Sequence, residues 1–386
     1  MKILHCCLAA FYIDNYGYQE NILPRMHKIQ GHEIEILAST ETFIDNAIPG
    51  YLLPSSYYTK DGIPITRLPY CKMLPHFVMR KLRIYKGISQ VLEKFHPDII
   101  FLHGLQFISI IDIVSYAKKF PQVRIYIDGH TDFINSARSW PSRIILHGII
   151  YKWCARKIKP YTKKFYGVLP LRVDFFKNVY GVSDNQVELL ELGADDSVFD
   201  LSMKEEIRKS IRKKLDISES DFVIITGGKI DHRKNIHTLM KALIQLNIDN
   251  MKLIVFGAPV PKIGEEIDEL SKAKNIRNIG WIPSENTYDY FFSSDLAFFP
   301  GTHSVLWEQA VGVGLPCVFK KWEGMQHVDL NGNCIFINSA NLDEIKEIIL
   351  LLYQNNDLLL KMKRIAQEKG IPKFSYYQIA KKAIEG

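Results

Sequence analysis

The sequence lacks several patterns that identify a chemistry directly. Its 386 residues include six cysteines but no Cys-x-x-Cys pair, which argues against a zinc site and favours a reducing compartment. There is no Asp-x-Asp triplet, no P-loop and no Gly-x-Gly-x-x-Gly motif. No apolar run reaches the roughly 18 residues of a membrane-spanning helix. We therefore expect no metal at the site, and at most a peripheral association with a membrane.

Acidic residues are scarce in one region of the chain. Residues 60–172 contain 20 Lys or Arg against six Asp or Glu, whereas residues 199–386 contain 25 against 24. A concentration of positive charge on one side of a protein is typical of a surface that meets phosphate groups, although an ordinary solvated surface is the alternative. Nucleic acid is disfavoured, because no aromatic-interleaved RNA motif or helix-turn-helix accompanies the charge.

Apolar runs alternate with amphipathic stretches along the whole chain. Five strand-like segments precede residue 199, beginning with KILHCCL at residue 2, which we interpret as a buried strand with a signal peptide as the alternative. Six more follow the charged stretch 203–214. The segments between them are long enough for crossover helices, which predicts parallel sheets. We therefore predict an α/β protein with two facing doubly wound, Rossmann-like domains and a ligand cleft between them.

A glycine turn in the second half suggests a phosphate site. Gly227 and Gly228 follow a predicted strand, and Lys229 and Lys234 come shortly afterwards, before a helix. Glycine lets a backbone approach a ligand closely, and two cations can neutralise a diphosphate. A Gly-Gly turn followed by lysines is also common in surface loops, so the motif leaves both interpretations open.

Several ordered motifs together resemble glycosyltransferase family 4, a group of enzymes with the two-domain GT-B fold. The similarity extends over nearly the whole chain, including YGYQENILPRMHKIQGHEIEIL, HPDIIFLHG and LLELGADDSVFD in the first half. In the second half it is carried by Gly228-Lys229-Ile230, Lys234-Asn235, Gly280-Trp281, Asp295, Glu308-Gln309-Ala310 and Gly314-Leu315-Pro316.

The resemblance implies roles for the loop and helix around residue 308. In the family two glutamates flank this loop, and the second, which matches Glu308, binds the ribose of a sugar nucleotide. The first acid is replaced by Pro300. His303, Ser304 and Val305 stand at the start of the same helix, where backbone N–H groups can hold a diphosphate. A solvated helix acid is the alternative interpretation of Glu308.

The resemblance also implies a reacting centre in the first domain. His130 ends the strand RIYIDGH and matches the family's strand-end histidine, which can offer a hydrogen bond or positive charge to the reacting sugar. Gly17 and Tyr18 in the first loop are expected to face the diphosphate or the acceptor. His103 is an open case between function and structure, and His32, His76, His96 and His147 are interpreted as structural.

The function implied is a retaining glycosyltransferase of the hexosyltransferase type. It would move a sugar from a nucleoside diphosphate sugar, with UDP preferred and GDP the alternative, to a glycan or lipid-linked acceptor in cell-surface polysaccharide or capsule biosynthesis. No further cofactor is expected. A GT-B sugar-nucleotide epimerase and a non-catalytic nucleotide-sugar-binding protein are the alternatives. The predicted domains are residues 1–198 for the acceptor and 199–370 for the donor, with a C-terminal helix, 371–386, packing back on the first.

Two basic segments with interleaved aromatic residues suggest a membrane surface. Residues 71–87 and 140–164 combine Arg and Lys with Phe, Trp, Tyr, Leu and Ile, as do helices that lie among lipid headgroups. Packing of these apolar faces on the first domain is the alternative. We expect a cytoplasmic protein that binds anionic lipid on the inner face of the plasma membrane. The basic residues assigned to this surface are Arg80, Lys81, Arg83, Arg156, Lys157 and Lys159.

Overall fold

The computed structural model describes residues 1–44, 48–133 and 136–385. The chain divides into two compact units, Met1–Glu191 with Ile379–Gly386, and Leu192–Gln378. The predicted C-terminal segment 371–386 is described as far as residue 385, and it spans both units, since the helix Tyr376–Glu385 begins in one and ends in the other.

Parallel strands form the main sheet of the first unit. Among the described residues the strands of this unit are β1 (Lys2–Cys7), β2 (Glu33–Ser39), β3 (Glu41–Ile44), β4 (Ile48–Tyr51), β5 (Ser55–Tyr58), β6 (Pro64–Leu68), β7 (Ile99–His103), β8 (Arg124–Gly129), β9 (Thr162–Gly167) and β10 (Val187–Leu189). The main sheet has the order β10-β9-β8-β7-β1-β2-β6-β5, and β3 pairs with β4 in a separate hairpin. Only β5 runs antiparallel in the main sheet.

Crossover helices join these strands. They are α1 (Gln19–Ile29), α2 (His76–Leu82), α3 (Ile88–Phe95), α4 (Ile110–Lys119), a π-helical stretch Ser142–Tyr151 that continues into α5 (Lys152–Ile158), and α6 (Pro170–Tyr180). Strands β1, β7 and β8 are buried almost throughout, which explains why they read as continuous apolar runs. Buried polar residues at the carboxyl ends of these apolar strands are therefore candidates for a functional role.

The second unit repeats the same architecture. Its strands are β11 (Phe222–Gly227), β12 (Met251–Phe256), β13 (Ile276–Gly280), β14 (Leu296–Phe299), β15 (Cys317–Lys320) and β16 (Cys334–Ile337), all parallel, in the order β13-β12-β11-β14-β15-β16. Its helices are α7 (Lys204–Lys214), α8 (Ile236–Leu246), α9 (Pro261–Leu270), α10 (Thr287–Phe292), α11 (Leu306–Gly312), α12 (Leu342–Gln354), α13 (Asn356–Ile365), a π-helical stretch Ala366–Gly370 and α14 (Ile371–Lys373). The last helix, α15 (Tyr376–Glu385), returns the chain to the first unit.

The prediction of two doubly wound α/β domains is confirmed. In each unit the strand order reverses direction next to the first strand of the unit, β1 or β11, as in Rossmann-like folds. No helix within the described residues is long and apolar enough to cross a membrane.

The end of α15 packs on the first unit through hydrogen bonds to its backbone. The carbonyl oxygen of Ala380 accepts a hydrogen bond from His27, and that of Ile384 accepts one from the Tyr126 hydroxyl at 3.0 Å. Lys382 in turn donates to the carbonyl oxygen of Leu189 at 2.8 Å. These bonds attach residues from the far end of the sequence to β8, β10 and α1.

Candidate functional site

Glu308 is a fully buried carboxylate near the start of α11. Its Oε1 lies 2.9 Å from Nε2 of His303 and 2.8 Å from Nε2 of His327, and Oε2 lies 3.1 Å from the His303 nitrogen. Burial alone would raise the pKa of this carboxyl group, but the two imidazoles outweigh it and lower the pKa to about 2. Glu308 is therefore ionised at neutral pH, and the alternative of a solvated helix acid is wrong, since its side chain has no exposed surface.

His327 is a residue of this site that the sequence did not indicate. It follows β15 in an irregular segment, 19 positions after Glu308, with no periodic pattern or motif around it. Because its Nε2 faces the carboxylate as a donor, its Nδ1 is an acceptor in the neutral ring. That Nδ1 is buried and has no hydrogen-bond partner among the described residues. A buried acceptor of this kind can accept a hydrogen bond from a hydroxyl group of a ligand.

Lys234 holds the loop that precedes α11. Its ammonium group donates to the carbonyl oxygens of Thr302 at 2.8 Å and His303 at 2.9 Å, and burial lowers its pKa to about 8. Trp322 donates from its indole nitrogen to the carbonyl oxygen of Gly301 at 3.0 Å. A side chain on residue 301 would collide with the backbone of Lys234, so glycine is required there. Lys234 therefore acts on the loop itself in this structure.

The predicted glycine turn lies at the carboxyl end of β11. Gly228 has a φ of +104°, and a side chain on Gly257, which ends the neighbouring strand, would meet the Gly228 carbonyl oxygen at 1.8 Å. Glycine at residue 257 permits this close approach, and glycine at residue 228 permits the positive φ. Lys229 is exposed directly after this turn, so its ammonium group is accessible to a ligand. Ser304 and Val305 are partly exposed just before α11 begins at Leu306.

Asp295, another motif residue of the second unit, has a structural role. Its two carboxylate oxygens accept hydrogen bonds from Arg208 at 2.8 Å and Arg212 at 2.9 Å, and one of them also accepts from the backbone N–H of Val223. Both arginines belong to α7. This carboxylate therefore fastens α7 to the amino end of β11.

In the first unit His130 follows the carboxyl end of β8 between two acids. Its Nε2 lies 3.6 Å from Oδ1 of Asp128 and 3.7 Å from Oε1 of Glu20, and 29% of its side chain is exposed. Burial alone would lower the pKa of His130, but Glu20 and Asp128 raise it above the ordinary value. The imidazolium form therefore persists to higher pH than in an isolated histidine, and one edge of the ring remains accessible.

Behind Asp128 a line of buried imidazoles crosses the sheet. Oδ2 of Asp128 lies 2.8 Å from Nδ1 of His103, whose Nε2 lies 3.1 Å from Nδ1 of His5. Nε2 of His5 lies 3.0 Å from Nδ1 of His27, and Nε2 of His27 lies 2.8 Å from the carbonyl oxygen of Ala380. All four side chains are fully buried. His103 is thus the link between this line and the carboxylate beside His130.

The hydrogen bonds of this line determine its proton content. Four bonds require four hydrogens, but three neutral imidazoles carry only one N–H each, and the carbonyl and carboxylate at the two ends are acceptors. The line therefore holds one proton more than these neutral groups supply. Burial lowers the pKa of His5 and His27, while the neighbouring histidines lower that of Asp128 against the effect of burial. His103 is the imidazole of this line that contacts the Asp128 carboxylate directly.

The first loop presents polar residues beside this cluster. Gly17 and Tyr18 immediately precede α1, and Tyr18 is 44% exposed. The next residue, Gln19, is 3% exposed, and neither its amide nitrogen nor its amide oxygen has a hydrogen-bond partner among the described residues. A buried amide without partners is a candidate ligand contact that the sequence did not single out.

The basic residues predicted at a membrane surface differ in exposure. Four of them are exposed, at the end of α2 and on α5: Arg80, Lys81, Arg156 and Lys157. Lys159 donates to the carbonyl oxygen of Gly181 at 3.1 Å. Arg83 is only partly exposed, and its guanidinium group donates to the carbonyl oxygen of Gln106 at 3.2 Å, so its side chain points into the first unit and not along the surface.

Two clusters within the described ranges bring enough ligand atoms together to hold a metal ion. They are Glu20, His103 and His130 in the first unit, and His303, Glu308 and His327 in the second, each with ligand atoms within 4.8 Å of one another. In the second cluster the separations of 2.8 to 3.1 Å are those of N–H···O hydrogen bonds, which explain the same geometry without a metal.

Residues 207–369 match the family model described as "Glycosyl transferases group 1". An uncharacterized glycosyltransferase of Methanocaldococcus jannaschii is 19% identical over 179 residues, which are 44% of this chain and 45% of that protein. The chain thus matches less than half the length of this curated relative. The segment with the family match contains Gly228, Lys234, Glu308 and His327.

Solved structures resemble the whole chain. A glycosyltransferase from Rickettsia africae has a TM-score of 0.70 at 14% identity, covering 100% of this chain and 97% of its own. Anabaena HepE in complex with UDP-glucose has a TM-score of 0.67 at 14% identity, with 100% and 98% coverage. The UDP-GlcNAc 2-epimerase of Neisseria meningitidis, bound to UDP-GlcNAc, has a TM-score of 0.60 at 13% identity, with 100% and 99% coverage. At these identities the likeness establishes the GT-B fold of two Rossmann-like domains.

Proposed function

We propose that this protein is a retaining glycosyltransferase of family 4 that transfers a hexose-type sugar from a nucleoside diphosphate sugar to a glycan acceptor. The observation that supports the proposal most is the ionised, fully buried Glu308 held by two imidazoles, inside the segment that matches the glycosyltransferase model. A buried carboxylate with remaining acceptor capacity is suited to the hydroxyl groups of a ribose.

The second unit binds the donor in this proposal. Glu308 accepts a ribose hydroxyl at Oε2, and Nδ1 of His327 accepts a further hydroxyl of the ligand. The exposed ammonium group of Lys229 neutralises the diphosphate, and Lys234 keeps the loop before α11 in place. UDP is the preferred nucleotide, because HepE, which has the same fold, binds UDP-glucose. GDP is the alternative.

The first unit supplies the reacting centre. His130, whose pKa is raised by Glu20 and Asp128, offers a hydrogen bond and, when protonated, positive charge to the reacting sugar as the glycosidic bond to the diphosphate breaks. In a retaining transfer on one face of the sugar, the departing phosphate takes the proton of the acceptor hydroxyl. No enzymic base is then required, and the residues that stabilise the departing diphosphate act in the transition state.

A panel of nucleotide sugars tests this assignment. A bound donor raises the melting temperature by linkage, so we expect one UDP-sugar to stabilise the protein more than GDP- or dTDP-sugars at equal concentration. Stabilisation by none of them would contradict the proposal. Incubation with the donor alone then separates the second candidate, an epimerase, which the fold of the N. meningitidis enzyme makes reasonable. An epimerase would convert the donor without an acceptor, and a non-catalytic binding protein would leave it unchanged.

We also propose that the first unit lies on an anionic membrane surface on the cytoplasmic side, with a lipid-linked acceptor of cell-surface polysaccharide synthesis. Large apolar side chains are exposed just before and along Ser142–Tyr151 and on α5: Trp140 at 70%, Ile144 at 43%, Ile145 at 46%, Ile149 at 62% and Trp153 at 39%. Exposed Arg156 and Lys157 accompany them. Such a mixture suits the headgroup layer, where each cation contributes about 1 kcal/mol near anionic lipid.

Co-sedimentation with vesicles tests the membrane proposal. We expect the wild type to bind vesicles containing anionic lipid, to bind neutral vesicles less, and to be released at 1 M salt, where the Debye length falls to about 3 Å. The variant Ile145→Ser/Ile149→Ser and the variant Arg156→Gln/Lys157→Gln should both bind more weakly. Equal binding by all three proteins, or binding by none, would favour a soluble acceptor.

A further inference from the structure

A cavity of about 490 Å³ lies wholly within the first unit. This volume is within the range of about 300–1,000 Å³ that is usual for small-molecule sites. The walls come from the hairpin β3–β4, the end of α2 and the helix Ser142–Tyr151. Two further lining residues, Gln106 and Thr131, follow the carboxyl ends of β7 and β8. Since Thr131 is the residue after His130, the cavity adjoins the strand end where the reacting centre is proposed.

Three cations line this cavity, namely Arg80, Lys81 and Arg83. Over residues 1–44, 48–133 and 136–385 none of them forms an ion pair with a carboxylate. The guanidinium group of Arg83 donates one hydrogen bond, to the carbonyl oxygen of Gln106, and its buried Nε has no hydrogen-bond partner in the same ranges. A partly buried guanidinium group that forms no direct ion pair is stabilised further when a ligand brings a negative charge into contact with it.

The described lining residues carry more positive than negative charge. Glu41 is the one carboxylate among the described lining residues. It accepts hydrogen bonds from the hydroxyl groups of Tyr70 at 2.9 Å and Tyr51 at 3.4 Å, and its charge helps to raise the pKa of Arg83. His147 adds no charge at neutral pH, because burial lowers its pKa to about 4. Among the described lining residues, the three cations therefore outnumber the one carboxylate. The other polar lining residues are neutral hydrogen-bond donors and acceptors.

The backbone holds Arg83 in an unusual conformation. Its φ of 52° and ψ of 61° lie in the left-handed region, where it ends α2 and where glycine or asparagine is more common. A non-glycine residue in this region costs on the order of 1 kcal/mol or more. From this position at the end of α2 the guanidinium group of Arg83 reaches the carbonyl oxygen of Gln106 at the cavity wall.

We propose that this cavity binds the acceptor through a negatively charged group, a phosphate or a carboxylate, held by the guanidinium group of Arg83. Arginine suits this task, because its planar fork donates two parallel hydrogen bonds to such a group. Arg80 and Lys81 at the rim add attraction for the anion. The inference rests on the proposed function and specifies its acceptor as an anionic molecule, whose charged group occupies the cavity beside His130.

Calorimetric titration with three soluble probes tests this proposal. The probes are glucose 6-phosphate, glucuronate and glucose, each titrated at constant ionic strength into the full chain, with and without saturating UDP. We expect the wild type to bind one or both anionic probes and to bind glucose at least tenfold more weakly. Arg83→Gln should weaken the binding of the anionic probe at least tenfold. Arg83→Lys should weaken it less, because the positive charge remains although the planar, two-pronged donor of arginine is lost.

Two further variants separate loss of the site from loss of the fold. Arg364→Gln removes an exposed arginine of the second unit and should bind the probes as the wild type does. Ser142→Trp places a large ring at the cavity wall without removing a charge, and should weaken the same probe. Unchanged melting temperatures and unchanged UDP binding in Arg83→Gln show that the protein is folded. Anion binding that survives both Arg83→Gln and Ser142→Trp, or wild-type binding of glucose alone, would overturn the proposal.

The two proposals fail in different ways in this experiment. A wild type that binds no UDP counts against the proposed function, whereas the titrations without UDP still decide the anion site. Vesicles containing phosphatidic acid distinguish the sources of the anion. Competition between these vesicles and glucose 6-phosphate for the wild type identifies a lipid-linked phosphate. Absence of competition, with binding still dependent on Arg83, identifies a soluble one.

Discussion

The two units contain similar buried carboxylates with different surroundings. Glu308 and Asp128 are both fully buried, both contact histidines on two sides, and both have a lowered pKa. Behind Glu308 the hydrogen-bond network ends at His303 and His327, and His327 retains a buried acceptor without a described partner. Behind Asp128 it continues through three imidazoles to a backbone carbonyl. The first arrangement leaves a polar atom available to a ligand, whereas the second uses its polar atoms in hydrogen bonds among the buried side chains.

The largest effect on activity should follow from removing His130, the partly exposed histidine beside Asp128. We expect His130→Ala to reduce kcat by about 10²–10³, as for loss of one donor that stabilises a transition state, with little change in donor affinity. Steady-state kinetics and donor titration measure the two quantities. The exposed His96 of the same unit serves as the matched control, since His96→Ala should leave kcat unchanged. Wild-type turnover in His130→Ala would make His130 structural.

Removing the Glu308 carboxylate should have a smaller effect, mainly on the binding of the donor. Hydrogen bonds to a charged group contribute about 1.5–3 kcal/mol, so Glu308→Ala should raise the apparent KM for the donor about 10- to 100-fold, with a smaller decrease in kcat. Glu308→Gln preserves the volume and should retain part of the affinity. A folded Glu308→Ala variant with unchanged donor affinity would remove the distinction between a binding carboxylate and a positioning carboxylate.

The two clusters should also respond to acid in different pH ranges. Burial lowers the pKa of His27 from 6.5 to about 4, so between these values the unfolded chain binds a proton that the folded chain does not. Stability is therefore complete above pH 6.5 and is lost as the pH falls towards 4, by on the order of 3 kcal/mol. The contribution of Glu308, whose pKa falls from 4.5 to about 2, is present above pH 4.5 and is lost only below it.

Thermal unfolding at pH 7, 6, 5 and 4 measures the first of these ranges. His27→Gln should lower the stability at pH 7 but flatten its decline between pH 6.5 and 4. The exposed His96→Gln variant should follow the wild-type curve. Parallel curves for all three proteins would show that the buried imidazoles do not control the acid sensitivity of the first unit.

The smallest effect is expected from chelation. Hydrogen bonds account for the short separations in the cluster around Glu308, and Lys229 can supply positive charge to the diphosphate, so we expect EDTA to change the activity by less than twofold. Activity assays before and after dialysis against EDTA provide the measurement. Loss of activity that Mn²⁺ or Mg²⁺ restores would assign a metal to one of the two histidine–carboxylate clusters.

Much of the fold follows from local patterns, and part of the site follows from its motifs. The apolar runs predicted as strands form β1, β2, β7, β8 and β9 in the first unit and all six strands of the second. The strands β3, β4, β5, β6 and β10 were not predicted, because each has only three to five residues and none is a continuous buried apolar run. Glu308 was indicated by its position in a motif, whereas His327 had no local signal in its irregular segment.

The sequence by itself determined the alternation of strands and helices, the glycine turns and the polar residues that follow buried strands, because these depend on local periodicity and backbone freedom. Only the tertiary structure decided which polar residues share protons. Parallel register places His103 opposite Asp128, and β1 between β2 and β7 brings His5 beside them. Only the tertiary structure also showed where the side chain of Arg83 lies, at the left-handed residue that ends α2. Hydrogen bonds and burial act over a few ångströms in space, and no spacing along the chain records those distances.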